Sequence, residues 1–511
     1  MTEALFKSKF EIFRNQTGLK KMNSSESKRG TFDGDFLLIA EFDEIFEISS
    51  NIFEIFHPCS LDNFGNFWIP IAHVIRVSIG PAVPFLAWAI AQLGWIAGPS
   101  LMFLFSFVFC YSSTILAYCY QSGHPVTGKR NETYIDAVRA NLGEVKVKIC
   151  HVFEYLHLLG MAIVAMITAL ISMMAIKCSD CFHESGEKNP CHMSSNPYMI
   201  VLGVFEIIFS QIPNFEENCW VHIITPVMSF IYLAVSLCLG VAQVAARRSF
   251  KGSLTGISIG TVTQTQKIRR SFQAVGDIAA AYSHLTILIK IQNKTKPPPS
   301  AAKTMKKATL LGLTITTAYK TLCFCIVYAT FGDSTPTPLL AGSGFYKPFW
   351  LLDIGNMAII IHLASVYQLS CRPFFAFVEE WANQKRPNSK FITKEIPVSF
   401  CTYKLNLFRL VWRSIFVVAT TIISMIFPFS NDVAGMVGGV GFWPLTVYFP
   451  VEMYIVQKKI PKWSAEWVCL QILSLACLIF SVAALVGSVA GMVLDLKLYP
   501  PFKIIHYDPF A

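Results

Sequence analysis

Apolar runs of about twenty residues recur along most of this 511-residue chain and leave few architectures open. In lipid every backbone polar group must be satisfied internally, so such runs cross a bilayer as helices. The first of them, Ile71 to Trp95 (IAHVIRVSIGPAVPFLAWAIAQLGW), carries the sharper constraint. It is interrupted at its middle by Gly80, Pro81, Ala82, Val83 and Pro84. Pro81 and Pro84 have no backbone N–H, and each disfavours helix at the residue before it, which excludes one unbroken helix through the stretch. Backbone left unpaired at membrane depth persists only within protein or beside a wet cavity, and broken helices of that kind hold substrate in secondary transporters. The run therefore predicts a transporter whose binding site surrounds Gly80.

Further apolar runs follow at about 99–119, 150–176, 198–213, 220–246, 274–292, 308–331, 350–378, 406–429, 433–456 and 465–494. The pattern predicts an all-α integral membrane protein with about eleven transmembrane helices. Composition agrees, with 53% hydrophobic and 14% charged residues, against roughly 25% charged in an ordinary soluble domain. The formal net charge of +10 does not indicate nucleic acid, because Lys and Arg are spread among short loops rather than gathered on one face. They read instead as topology signals. Lys129, Arg130, Lys294, Lys296, Lys385, Arg386, Lys458 and Lys459 all fall in cytoplasmic loops when the N-terminus is inside. An odd number of spans then puts the C-terminus outside. The loop between spans five and six, with Arg247, Arg248, Lys251, Lys267, Arg269 and Arg270, runs against this bias.

Residues 1–68 read as a cytoplasmic, poorly ordered N-terminal region, 69–500 as the transmembrane transporter domain and 501–511 as a short tail. The first region combines a basic, Ser-rich patch (KKMNSSESKRG) with FLLIAEFDEIFEISSNIFEIF, either an amphipathic surface helix or a segment without stable structure. No cleavable signal is visible in it. The fifteen cysteines lie mostly inside apolar runs, where a thiol behaves as a small hydrophobe, and form no metal site. Cys181 and Cys191, in CFHESGEKNPC on an outer loop, are a disulfide candidate worth roughly 2–3 kcal/mol. Two free thiols are the alternative, with Cys178 as a competing partner.

GHPVTGK, from Gly123 to Lys129, departs from the phosphate-binding loop because Arg130 sits where Ser or Thr must meet magnesium, and no strand precedes it. The glycosylation patterns at Asn131 and Asn293 fall on cytoplasmic loops. HEXXH and GXSXG are absent, and no catalytic constellation points to an enzyme. Ionisable residues in or beside spans are more informative, because a charge in hydrocarbon costs several kcal/mol. His73, Arg76, Glu154, His157, Glu206, Asp277, His284, Lys290, Asp353 and His362 form this set. Each competes with a bland reading as a structural hydrogen bond. His73 and Asp277, on spans one and six, are the candidates for function. Span six also carries Ala279, Ala280, Ala281, Tyr282 and Ser283, either helix packing or a second interruption matching the first, as inverted repeats require.

The strings LAWAIAQLGWIAGP, QSGHPVTGKRNETYIDAVR, FKGSLTGISIGTVTQTQKI, GFYKPFWLLDIGN, YKLNLFRLVWRS and GFWPLTVYFPVEMYIVQKK resemble the plant amino acid permeases of the amino acid/auxin permease family. The resemblance covers roughly the last five-sixths of the chain. It implies a five-helix inverted-repeat fold with discontinuous first and sixth helices, and proton-coupled uptake of amino acids, usually at the plasma membrane. The implied partners are an amino acid, protons and the lipid bilayer, with the proton gradient in place of a cofactor. Ile79, Gly80, Pro81, Ala82 and Val83 would face the substrate carboxylate, and Ala279, Ala281, Tyr282 and Ser283 its amino group and side chain. Spans three and eight would line the pocket, and His73 or Asp277 would carry the proton. Where the family's first-span string resembles IGSGVLSLAWA, this chain reads IGPAVPFLAWA from Ile79 to Ala89, and Lys290 reverses an acidic charge in span six. Two functions follow: a proton-coupled symporter of neutral or acidic amino acids, or a non-transporting relative that acts as a binding or regulatory membrane protein.

Overall fold

The computed structural model describes residues 68–122, 129–185, 194–212, 219–258, 262–293, 301–340, 349–387, 389–393, 395–397 and 404–498. The expected N-terminal region up to residue 67, the tail 501–511, most of GHPVTGK and Cys191 lie outside the described residues. Nearly everything described is helical. The helices are α1 Trp68–Ser78, α2 Leu86–Tyr118, α3 Tyr134–Leu142, α4 Glu144–Ser185, α5 Ser195–Ser210, α6 Cys219–Arg247, α7 Gln264–Ala281 and α8 Ile287–Asn293. They continue with α9 Ala301–Phe331, α10 Phe349–Lys385, α11 Lys390–Thr393, α12 Leu407–Ile426, α13 Ser430–Gly441, α14 Phe449–Lys458 and α15 Ala465–Leu498. Two short antiparallel ribbons, Gln121–Ser122 with Lys129–Arg130 and Glu395–Pro397 with Lys404–Asn406, close loops between helices.

Among the described residues, eight helices are long and apolar enough to cross a membrane. The remaining expected spans have physical reasons to fall short of that length. Span four is the sixteen-residue α5. Span one is cut by its prolines into α1 and a second half that starts with a short 3-10 turn, Val83–Phe85, with Pro84 in its first turn where a missing N–H is harmless. Span six is cut into α7 and the seven-residue α8. α7 begins earlier than the apolar pattern suggests, at Gln264 behind a capping box in which Thr263 and Gln266 satisfy each other's backbone amides. Lys267, Arg269 and Arg270 are therefore helical, and Arg247 ends α6, which shortens the basic loop that opposed the charge bias to Arg248 and Lys251.

The core is built on close backbone approach. A Cβ added to Gly438 would lie 1.9 Å from the Gly276 carbonyl oxygen and 2.7 Å from the Ala280 nitrogen, so α7 and α13 pack main chain against main chain. Phe85, Ile163, Val164 and Ile167 form a buried apolar cluster with Val433, Ala434 and Val437, joining the second half of span one to α4 and α13. α13 and α14 are joined by a π-helical turn, Phe442–Tyr448, around Pro444. There the Leu445 carbonyl accepts from the Tyr134 hydroxyl at 2.8 Å instead of from a backbone amide alone.

Candidate functional site

The first interruption is a tight piece of backbone. Val83 N–H donates to the Gly80 carbonyl at 3.1 Å and Phe85 N–H to the Ala82 carbonyl at 3.2 Å. The Pro84 carbonyl accepts from Leu339 N–H at 3.0 Å. Pro81 and Pro84 contribute no donor. The amides of Gly80 and Ala82 make no hydrogen bond among the described residues. A Cβ built on Gly80 would meet only the Met161 methyl of α4, at 3.8 Å, so span three does line this break and little else fills it.

The second interruption, residues 282–286, is also real. Tyr282 N–H and Ser283 N–H turn back to the Ala279 and Ala280 carbonyls at 3.1 and 3.3 Å, and Ile287 restarts the helix. The sequence left this break open between packing and unwinding, and the structure contains both. Ala279, Ala280 and Ala281 are buried, with the Ala280 backbone against Gly438 of α13, while Tyr282 and Ser283 leave the helix. The Ser283 hydroxyl donates to the Ala279 carbonyl at 2.7 Å, and the Tyr282 hydroxyl shares a hydrogen bond with Thr317 at 3.1 Å.

The two breaks meet. Ser78, the last residue of α1, donates its hydroxyl proton to the Val74 carbonyl at 2.8 Å, and its oxygen lies 3.4 Å from His284 Nε2. Lys320, from α9, donates Nζ to the Ser78 carbonyl at 3.2 Å and sits 4.5 Å above the Tyr282 ring. His284 stacks obliquely on Phe109 of α2, with ring centroids 4.4 Å apart.

A model of the family described as transmembrane amino acid transporter protein matches residues 65–494. Amino acid permease 3 of Arabidopsis thaliana is 58% identical over 442 residues, covering 86% of this chain and 93% of that protein. Amino acid permease 2 of the same plant is 59% identical over 447 residues, covering 87% and 91%. Among solved structures, the inward-facing conformation of Mhp1 is similar at a TM-score of 0.48 and 12% identity, covering 86% of this chain and 92% of that one. The chain belongs to the transmembrane amino acid transporter family. It is a multi-pass membrane transporter, not an enzyme.

Within this transporter the ionisable residues of the spans divide by partner. Glu206 of α5 accepts from Gln368 of α10 at 2.7 Å, and His362 of α10 meets the Ser229 hydroxyl at 2.9 Å and the Thr225 carbonyl of α6 at 3.1 Å. Both tie helices together. Asp277 lies on α7, one turn before the second break, fully buried, and neither of its carboxylate oxygens has a hydrogen-bond partner among the described residues. His73 lies on α1, about two turns before the first break, and is partly buried. Lys290 points outward from α8 and is exposed. Cys181, in the last turns of α4, is disulfide-bonded, while its expected partner Cys191 lies outside the described residues. Asn131 is buried and donates its amide to the Cys119 carbonyl at 3.0 Å, a structural use of the apparent glycosylation pattern.

Lys320 and Thr317 escaped the sequence reading. A lone Lys inside the apolar run 308–331 was a legible signal by the same burial argument that singled out Asp277. The segment from Gly252 to Ile257 escaped it too. Trp95 and Ile96 N–H donate to the Ser253 and Leu254 carbonyls at 3.1 and 3.3 Å, and Ile257 N–H donates to the Ala91 carbonyl at 3.1 Å. This loop is laid along the second half of span one, where the non-helical backbone of Gly94, φ 84° and ψ 180°, divides α2 into two helices.

Proposed function

We propose that this protein is a proton-coupled amino acid symporter, importing neutral or acidic amino acids across the plasma membrane with its N-terminus in the cytoplasm and its C-terminus outside. The observation that supports this most directly is the pair of unpartnered amides at Gly80 and Ala82, at the start of the second half of a broken helix. Such amides and the positive end of the half-helix dipole favour a substrate carboxylate. Each charge-assisted hydrogen bond there is worth about 1.5–3 kcal/mol. Asp277 is the group assigned to take a proton outside and release it inside, since a carboxyl without partners exchanges a proton without dismantling a hydrogen-bond network. Uptake of labelled glutamate and glutamine in cells lacking their own amino acid transport tests the reading. Uptake that is several-fold faster at acid than at neutral outside pH is the expected result, and no uptake and no substrate-evoked current at either pH overturns it.

A second reading, a non-transporting relative acting as a binding or regulatory membrane protein, is favoured by Pro81. Proline supplies no amide at a position inside the candidate carboxylate site, and Ala82 adds a methyl beside it. Pro81→Ser and Ala82→Gly combined with Lys290→Glu separates the two. Uptake that appears only in the restored protein supports this reading, and native uptake that restoration leaves unchanged removes it.

A further inference from the structure

We propose that Lys320 sets the charge selectivity of the site: its ammonium is a built-in cation where the two interrupted helices meet, favouring substrates with an acidic side chain and rejecting those with a basic one. The inference rests on the amino acid reading above. Lys320 belongs to neither broken helix, yet its Nζ reaches the last carbonyl of α1 at 3.2 Å and the face of Tyr282, the first residue of the second break, at 4.5 Å. The residue is fully buried. Among the described residues no carboxylate lies within ion-pairing distance of it, in contrast to Arg413, which pairs with Glu379 at 2.7 Å.

A buried ammonium without an anion is costly. Two features of the break offset part of that cost. The Ser78 carbonyl lies at the negative end of the first half-helix, where a cation is favoured, and the Tyr282 ring offers its face. Neither supplies a full negative charge. Lys320 has three donors, of which one is engaged among the described residues. The Tyr282 hydroxyl is engaged by Thr317, which also meets Ser106 at 3.0 Å, and His284 is turned toward Ser78. Gly80, whose amide is unpartnered, lies two residues beyond Ser78. The ammonium therefore sits on the last carbonyl of α1, two residues of chain before the first of the unpartnered amides of the same interruption. A substrate there whose side chain is a carboxylate supplies the missing counter-charge, whereas an ammonium or guanidinium side chain is repelled. For unit charges a few ångströms apart at a partly screened site, the discrimination is at least about tenfold.

The test compares the full-length protein with Lys320→Met, which removes the charge, and Lys320→Arg, which keeps it. Each is purified in detergent and titrated with glutamate, glutamine and lysine, with thermal stabilisation as the readout, and uptake of the same three amino acids is measured in cells. The native protein and Lys320→Arg are expected to bind glutamate most tightly and lysine least. In Lys320→Met the glutamate-to-lysine affinity ratio is expected to fall at least about tenfold. Lys320→Gln gives the same comparison should the methionine variant not accumulate. A ratio unchanged in the neutral variants overturns the inference. Binding without uptake overturns the symport reading and leaves the ratio to decide this one, while failure of all three amino acids to bind any of the proteins overturns both.

Discussion

Asp277 and Lys320 are both buried within the membrane body, and both lack an opposite charge among the described residues, but their surroundings differ. The Lys320 ammonium is held by a helix end and an aromatic face. Asp277 has no hydrogen bond at either oxygen among the described residues and packs in the region where α7 runs backbone to backbone against α13. Asp277→Asn keeps the shape of the side chain and removes its ability to carry a proton. The expected outcome is amino acid binding within about threefold of native, with acid stimulation of uptake abolished. A variant still stimulated as strongly as the native protein would move the coupling role away from Asp277. His73 was the other candidate, and Asp277→Asn beside His73→Gln in the same assay tells them apart.

At the scale of elements, the second half of span one is held in place by a loop. Gly94, Gly252 and Gly256 all have positive φ, and a Cβ on Gly94 would lie 2.2 Å from the Gly256 nitrogen, with one on Gly256 only 2.1 Å from the Gln92 carbonyl oxygen. Those contacts are with backbone, which has no rotamer to move aside. Gly94→Ala is therefore expected to cost at least about 3 kcal/mol and to lower the yield of folded protein severely. Exposed Gly143 makes a control. It too has positive φ, but a Cβ there meets nothing within 4 Å, so Gly143→Ala is expected to carry backbone strain alone, about 1–3 kcal/mol, and to cost less than Gly94→Ala, which adds the clash. Comparable melting temperatures and yields for the two variants would show that the docked loop does not fix the break. The Ser253 amide donates to the Tyr328 hydroxyl at 2.8 Å and Lys251 N–H to the Ala329 carbonyl at 2.8 Å, so α9 anchors the same loop while carrying Lys320 to the site.

For the whole molecule, the charge bias gives a testable orientation. An N-terminal tag is expected to react with a membrane-impermeant reagent only after permeabilisation, and a C-terminal tag in intact cells. The reverse pattern would place the Gly252–Ile257 loop in the cytoplasm. What the sequence determined by itself is local chemistry. Two prolines four residues apart, counted inclusively, forbid a continuous helix whatever surrounds them, and apolar runs of bilayer length demand a helical membrane protein. Family strings then fixed the kind of transporter. The tertiary structure alone decided the rest, because it depends on contacts between residues far apart in the chain. Tyr282 to Thr286 carry no proline or glycine, and their unwinding accompanies the packing of α7 on the glycines of α13 and the meeting of Ser78 with His284, 206 positions away. Lys320 reaches Ser78 across 242 positions. Periodicity reads one helix at a time, and a site made where two broken helices meet a third is set by long-range packing.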